Sequence, residues 1–323
     1  MTAEASRLPP GPGRLATFNF VRNPYIFLDE CARRYGDWFT LRVPGVAPFV
    51  FTSDPTAIRE IFQGDSAVFH AGKANRPLGA FMGERSLLFL DGPAHLHDRR
   101  LILPAFHGEL MKSYAETMRM VADAEIERWP TETPFQIHPA MRAITFEVIM
   151  RTVFGLQDGP VASRIRETVT KLFALYASRM GTLFALTAAQ IDLGPWSPWG
   201  RAVRLHREFS SQLFDEIRRR REAESETRDD VLWMMMQARD ENGAPLDDEA
   251  LRDEMLTLLL AGHETTAASL SWAINRLIAN PEVASRAGEE VRATLNGQPL
   301  AADHVGKLKY VEAIINETMR LDP

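Results

Sequence analysis

The sequence predicts a mostly α-helical protein with a small N-terminal β element. Three observations carry this. From Pro93 onward the chain reads as a near-continuous series of helical segments. Helix-start signals such as Asp54-Pro55, Gly92-Pro93 and Asn280-Pro281 punctuate it. Before Pro93, two short β-rich runs flank Val43-Pro44-Gly45-Val46-Ala47-Pro48, the composition of a hairpin connection.

In chain order, Leu8-Pro9-Pro10-Gly11-Pro12-Gly13 is a stiff, extended leader. Pro24–Tyr35 follows as a helix with Tyr25, Leu28 and Ala32 near one face. Trp38–Val43 and Phe49–Thr52 form the hairpin, and Asp54 caps a helix that runs to Phe62. The expected later helices are 93–103, 108–128, 137–154, 160–179, 199–224, 229–238, 247–279, 281–295 and 303–321. An apolar connector with Phe184, Leu186, Pro195, Trp196 and Trp199 spans 180–198. No repeat or linker divides the chain, so residues 1–323 are expected to form one domain.

Of the 323 residues, 45% are apolar and 25% charged, an ordinary globular composition. The net charge is −6, from 37 basic and 43 acidic residues, which gives no basic face for nucleic acid. The basic run Arg218–Arg221 is expected to be a solvated helix end. Cys31 is the one cysteine, so no intramolecular disulfide is possible and a reducing, cytoplasmic setting is expected. Met1–Leu15 has no apolar signal core, and no apolar run approaches the roughly 20 residues of a spanning helix, so no membrane anchor is expected.

The most informative segment is 246–266. Asp247, Asp248 and Glu249 suit a helix N-terminus, and Asn280-Pro281 ends the helix, which is therefore about 33 residues or roughly 50 Å long. Its middle, Leu258–Gly262, is apolar all round and is expected to be buried. Gly262 would let a flat ligand approach the backbone. The Thr265 hydroxyl can bond the Ala261 carbonyl one turn back, and Glu264 sets a carboxylate beside that hydroxyl. An acid next to an alcohol in a buried groove can deliver protons; the same residues equally describe a kinked core helix. His263-Glu264 begins a zincin-like pattern, but the position of its second histidine is Ala267.

Two further motifs stand out. Glu317 and Arg320 share a helix face and can pair. His95 and Arg99 lie one turn apart after Gly92-Pro93, a placement that suits an anionic ligand or a plain polar face. His95 and His97 point apart on a helix, which argues against a metal site.

In this order and spacing, Ala261-Gly-His-Glu-Thr-Thr266, Glu317-Thr-Met-Arg320 and His95 with Arg99 resemble the cytochrome P-450 superfamily, in its soluble bacterial form. The resemblance extends over essentially the whole chain and implies a helical haem-binding monooxygenase. It implies that Thr265 and Glu264 assist dioxygen activation, that Ala261 and Gly262 line the oxygen groove, and that His95 and Arg99 hold the haem propionates. Glu317 and Arg320 would belong to a buried structural triad. Phe81, Met82, Leu87, Leu88, Phe89, Leu183 and Phe184 would lie near an apolar substrate pocket. O2, an apolar substrate and a separate electron donor of ferredoxin or flavodoxin type are the implied partners.

The family's iron ligand is a cysteine in a Gly-rich loop after the E-x-x-R helix, and this sequence reaches Pro323 before such a loop. Cys31 lies in the first long helix and is no substitute, so no metal ligand is assigned. The fold is accordingly expected to be incomplete at the C-terminus. A thiolate is what favours O–O cleavage at haem iron, so the 323 residues by themselves are expected to be an inactive fragment without stable haem binding.

Overall fold

The computed structural model describes residues 8–13, 16–43, 47–76, 79–107, 109–176, 194, 196–223 and 228–322. The chain groups into two compact units. The first comprises Met1–Glu84, Leu88–Pro93 and Ile165–Leu213; the second comprises Arg85–Leu87, Ala94–Arg164 and Phe214–Pro323.

The first unit opens with helices α1 (Thr17–Arg22) and α2 (Pro24–Tyr35). Asn23 caps α2 by accepting the Ile26 N–H at 3.2 Å, with Pro24 at its first turn. Strands β1 (Trp38–Leu41) and β2 (Phe49–Thr52) pair antiparallel, with Trp38 opposite Thr52 and Leu41 opposite Phe49. Phe27, Cys31, Phe39, Leu41 and Val43 form the local core, and the Phe39 and Phe51 rings stack at 5.2 Å. The leader lies along β1. Thr40 donates its N–H to Pro10 O at 2.9 Å and its hydroxyl to Pro9 O at 2.8 Å. A Cβ on Gly11 would come within 1.9 Å of the Thr40 carbonyl oxygen, so this approach requires glycine. Helices α3 (Pro55–Gln63), α4 (Ala71–Asn75) and α5 (Gly79–Met82) follow, then a 3-10 turn at Leu87–Phe89. The expected helix at Asp54-Pro55 is present; the short α1, α4 and α5 have too few turns to give a periodic signal.

The remaining helices are α6 (Gly92–Ile102), α7 (Glu109–Ile126), α8 (Ile137–Thr152), α9 (Pro160–Tyr176), α10 (Pro198–Glu222), α11 (Val231–Gln237), α12 (Asp248–Ala279), α13 (Pro281–Leu295), α14 (Ala302–Val305) and α15 (Lys309–Leu321). A 3-10 turn at Leu103–Phe106 links α6 to α7. Most of the 180–198 connector lies outside the described residues. In the second unit, α12 packs most extensively on α8, and Met150, Phe154, Ile217, Leu232, Met235, Leu251 and Met255 are fully buried. Asp247 caps α12 by accepting the Ala250 N–H at 2.8 Å, as its acidic start predicts.

Two expectations are corrected. The segment 303–321 is two helices, because the chain turns at Gly306 and restarts on Glu290, whose carboxylate accepts the Tyr310 and Val311 N–H groups at 2.8 and 3.0 Å. The run Arg218–Arg221 is solvated at Arg218, Arg219 and Arg221 but not at Arg220. The Arg220 side chain is wholly buried and donates to Glu216 at 2.7 Å, Asp230 at 2.7 Å and the Phe154 carbonyl at 2.6 Å. Two carboxylates and a helix-end carbonyl satisfy the guanidinium in its fork geometry, which a run of like charges in sequence cannot reveal.

Candidate functional site

All the residues of the candidate site lie in the second unit. The Thr265 hydroxyl donates to the Ala261 carbonyl in α12, as its spacing predicts. The burial expected for this stretch is different. Leu259 is buried, but Leu258, Leu260 and Gly262 are half-buried, and Ala261, Glu264, Thr265 and Thr266 are exposed. An apolar run states that a face needs cover, not which neighbour supplies it. The buried part of α12 is Ala250, Leu251 and residues 253–257, with Leu259, His263 and Ala267.

One stripe of α8 faces this motif. His138, Arg142, Thr145 and Ile149, at steps of four, three and four residues, lie one above another. Thr145 Oγ1 lies 2.9 Å from Nδ1 of His263. Burial holds the His263 imidazole down at about 4, helped by the Arg142 guanidinium, so it is neutral at neutral pH. The Glu264 carboxylate lies 3.0 Å from Arg142 Nε and 3.5 Å from His138 Nε2. The Arg142 contact is one of charge and not a directed hydrogen bond, since Nε finds no aligned acceptor among the described residues.

Gly262 borders α8. A Cβ there would meet Ile149 Cδ1 at 3.2 Å, so the missing side chain brings α8 and α12 close. None of the α8 stripe was singled out from sequence. Its polar members His138, Arg142 and Thr145 at helical spacing were the available signal.

His95 is half-buried and Arg99 exposed on α6, on one face as expected, and Arg99 makes no ion pair with another described residue. His97 instead lies 3.9 Å from both Asp98 and Asp240. Glu317 and Arg320 do pair, through two bonds of 2.7 Å, and the Arg320 guanidinium holds the Glu317 carboxyl below its ordinary range. Their side chains are 55% and 67% exposed, so the pair is not buried as expected. Beside it, a groove of about 480 Å³ is lined by Arg276, Tyr310, Ile314, Glu317, Thr318 and Leu321. Arg276, one of its lining residues, donates two bonds to Asp322 at 2.7 and 2.8 Å, a pairing 46 residues apart in sequence. Among the expected pocket residues, Phe89 is buried, Met82 and Leu87 are half-buried and Leu88 is exposed; Leu183 and Phe184 lie outside the described residues.

The polar side chains of α6 have the chemistry to hold a haem's carboxylates. Arg99 offers a free fork for a carboxylate, and His95 lies one turn before it. Cys31, the one cysteine of these 323 residues, is buried in the α2 core of the first unit, and that burial pushes its thiol up, towards the neutral form.

The cytochrome P450 family model matches residues 9–323. Cytochrome P450 135B1 of Mycobacterium tuberculosis (strain H37Rv) is 38% identical over 320 residues, covering 98% of this chain and 66% of that protein. Cytochrome P450 135A1 of the same strain is 34% identical, covering 97% of this chain and 67% of its own length. The chain thus spans about two thirds of the relatives it matches. Among solved structures, a retinoic acid-bound cyanobacterial CYP120A1 superposes with a TM-score of 0.78 at 24% identity, over 97% of this chain and 69% of that one. That likeness extends to the mostly helical fold with its small N-terminal sheet. No described helix is long and apolar enough to cross a membrane. The chain belongs to the cytochrome P450 family, whose cofactor is haem.

Proposed function

We propose that residues 1–323 form one cytochrome P450-like domain of a cytoplasmic haem-dependent monooxygenase. The reaction inserts one atom of O2 into an apolar organic substrate and reduces the other to water, with electrons from a separate ferredoxin- or flavodoxin-type protein. Bound haem supplies dioxygen binding and the oxidising power. This chain's own residues handle orientation and protons. The Thr265 hydroxyl and the Glu264 carboxylate supply and hold protons, Ala261 and Gly262 line the groove, His95 and Arg99 hold the propionates, and Glu317 with Arg320 braces the fold. The observation that carries this reading is the Ala261–Thr265 turn, with its hydroxyl directed to the helix carbonyl beside an accessible carboxylate.

The position of Cys31 favours a second reading for the 323 residues by themselves: they bind little haem and turn nothing over. The carbon monoxide difference spectrum of the haem-reconstituted chain separates the two. A thiolate-type Soret band supports the first reading, and its absence with weak haem uptake supports the second. In any haem-thiolate form, Thr265→Ala is expected to divert oxygen into peroxide, and unchanged product per O2 consumed would remove Thr265 from the proton path.

A further inference from the structure

Arg85, Ser86 and Leu87 are consecutive, and each is fastened to α12. The Leu87 N–H donates to the Glu254 carboxyl and the Arg85 N–H to Asp253 at 3.0 Å. Thr257 Oγ1 lies 2.7 Å from both the Ser86 hydroxyl and the Asp253 carbonyl, and the Arg85 guanidinium pairs with Asp247. The anchor is dry: Ser86, Asp253 and Glu254 are at most 2% exposed. Two adjacent carboxyls in such a place require an account, since buried ionised acids are costly without cations.

Asp253 has a cation, the Arg252 guanidinium at 2.6 Å, and also faces Glu249. Asp98, on α6, faces His97, His95, Arg85 and Asp247. The charged groups that act on Glu254 are both acids, Asp98 and Asp253. Burial, reinforced by these two, raises the Glu254 carboxyl from 4.5 to about 8, against the opposing Leu87 N–H bond.

We propose that Glu254 is a proton-operated latch: its neutral carboxyl holds the Arg85–Leu87 strap closed on α12, and its ionisation releases the strap into water. A neutral acid accepts the Leu87 N–H without placing a second charge beside Asp253. An ionised one gains hydration only when the strap lifts, where its affinity for protons returns to the ordinary value. Affinity for protons is therefore higher in the closed state than in the open one. Closure is complete at low pH and is lost as pH rises through the window from 4.5 to about 8. Within that window the opening constant rises by up to about tenfold per pH unit, and it levels off above. The family resemblance implies that Leu87 lies near the apolar substrate pocket, so the latch would position a pocket residue. The latch itself stands on its hydrogen bonds, independently of haem.

The test is amide hydrogen exchange on the full chain, as protection factors corrected for intrinsic rate at each pH. Between pH 6 and 8, protection at the Arg85 and Leu87 amides is expected to fall by about 50-fold, while Leu256 and Leu259 in the same samples stay protected. Glu254→Gln keeps the acceptor and removes the titration, so its profile should be flat. Thr257→Val loosens the strap without touching the acid, so protection should drop at every pH with the slope kept. This variant serves if the glutamine protein does not fold. A pH-independent wild-type profile overturns the latch. So does an equal slope in Glu254→Gln, the loss of the slope in Thr257→Val, or a parallel fall at Leu256 and Leu259. The carbon monoxide spectrum has no bearing on any of these outcomes, so the latch and the monooxygenase reading fail separately.

Discussion

Replacing Arg220 by methionine is expected to destabilise the second unit by about 3 to 5 kcal/mol, the range for removing one partner of a buried charge network. The guanidinium has no exposed surface, and its three donors satisfy Glu216, Asp230 and the Phe154 carbonyl. Methionine fills much of the volume but leaves Asp230 with the Trp233 N–H of its own helix cap at 2.8 Å, and leaves the Phe154 carbonyl without this donor. Arg219 is the internal control. It pairs with the same Glu216 at 2.8 Å, but its side chain is 49% exposed, so Arg219→Met should cost no more than about 1 kcal/mol. Against a typical domain stability of roughly 5 to 15 kcal/mol, the first change is large and the second small. Urea denaturation followed by circular dichroism reads both. Equal midpoints for the two variants would refute the argument that burial and partner geometry, not sequence charge, set the worth of these arginines.

Burial keeps His263 neutral down to about 4, whereas the unfolded chain takes up a proton near 6.5; stability should therefore fall as pH drops through that window, by about 1 to 2 kcal/mol at pH 5. In His263→Phe that acid sensitivity should diminish, as urea midpoints at pH 7 and 5 will show. Gly262→Ala is expected to change stability by less than about 1 kcal/mol, because the gain in helix propensity offsets a small shift of Ile149 Cδ1; thermal unfolding checks this. If Arg99 clamps a propionate, Arg99→Lys should speed haem transfer to apomyoglobin, while Arg100→Lys, whose exposed side chain lies 3.5 Å from Glu241, should not. Equal transfer rates would remove the clamp.

Much of the fold was legible because its signals are local. The hairpin, the Asn280-Pro281 break and the Asp247 cap are written in the residues that make them, and the helices they bound appear within a residue or two. The bond from Thr265 to Ala261 was legible for the same reason, since it spans one turn. The α8 stripe was not: nothing near His263 in sequence names Thr145, which is 118 residues away. Nor did the run Arg218–Arg221 announce that one of its members would be the most deeply buried cation described.

The sequence by itself determined the helical class, the small sheet, the order of the motifs and the family they belong to, because periodicity, caps and short motifs act within a few turns. The tertiary structure alone decided the rest. It set Gly262 against Ile149, exposed Glu264 and Thr265 where an apolar context implied burial, and gathered Arg85, Ser86 and Leu87 onto two acids some 167 residues away. Burial and charge environment are properties of neighbours brought together by packing, and a single strand of letters carries no distance between them.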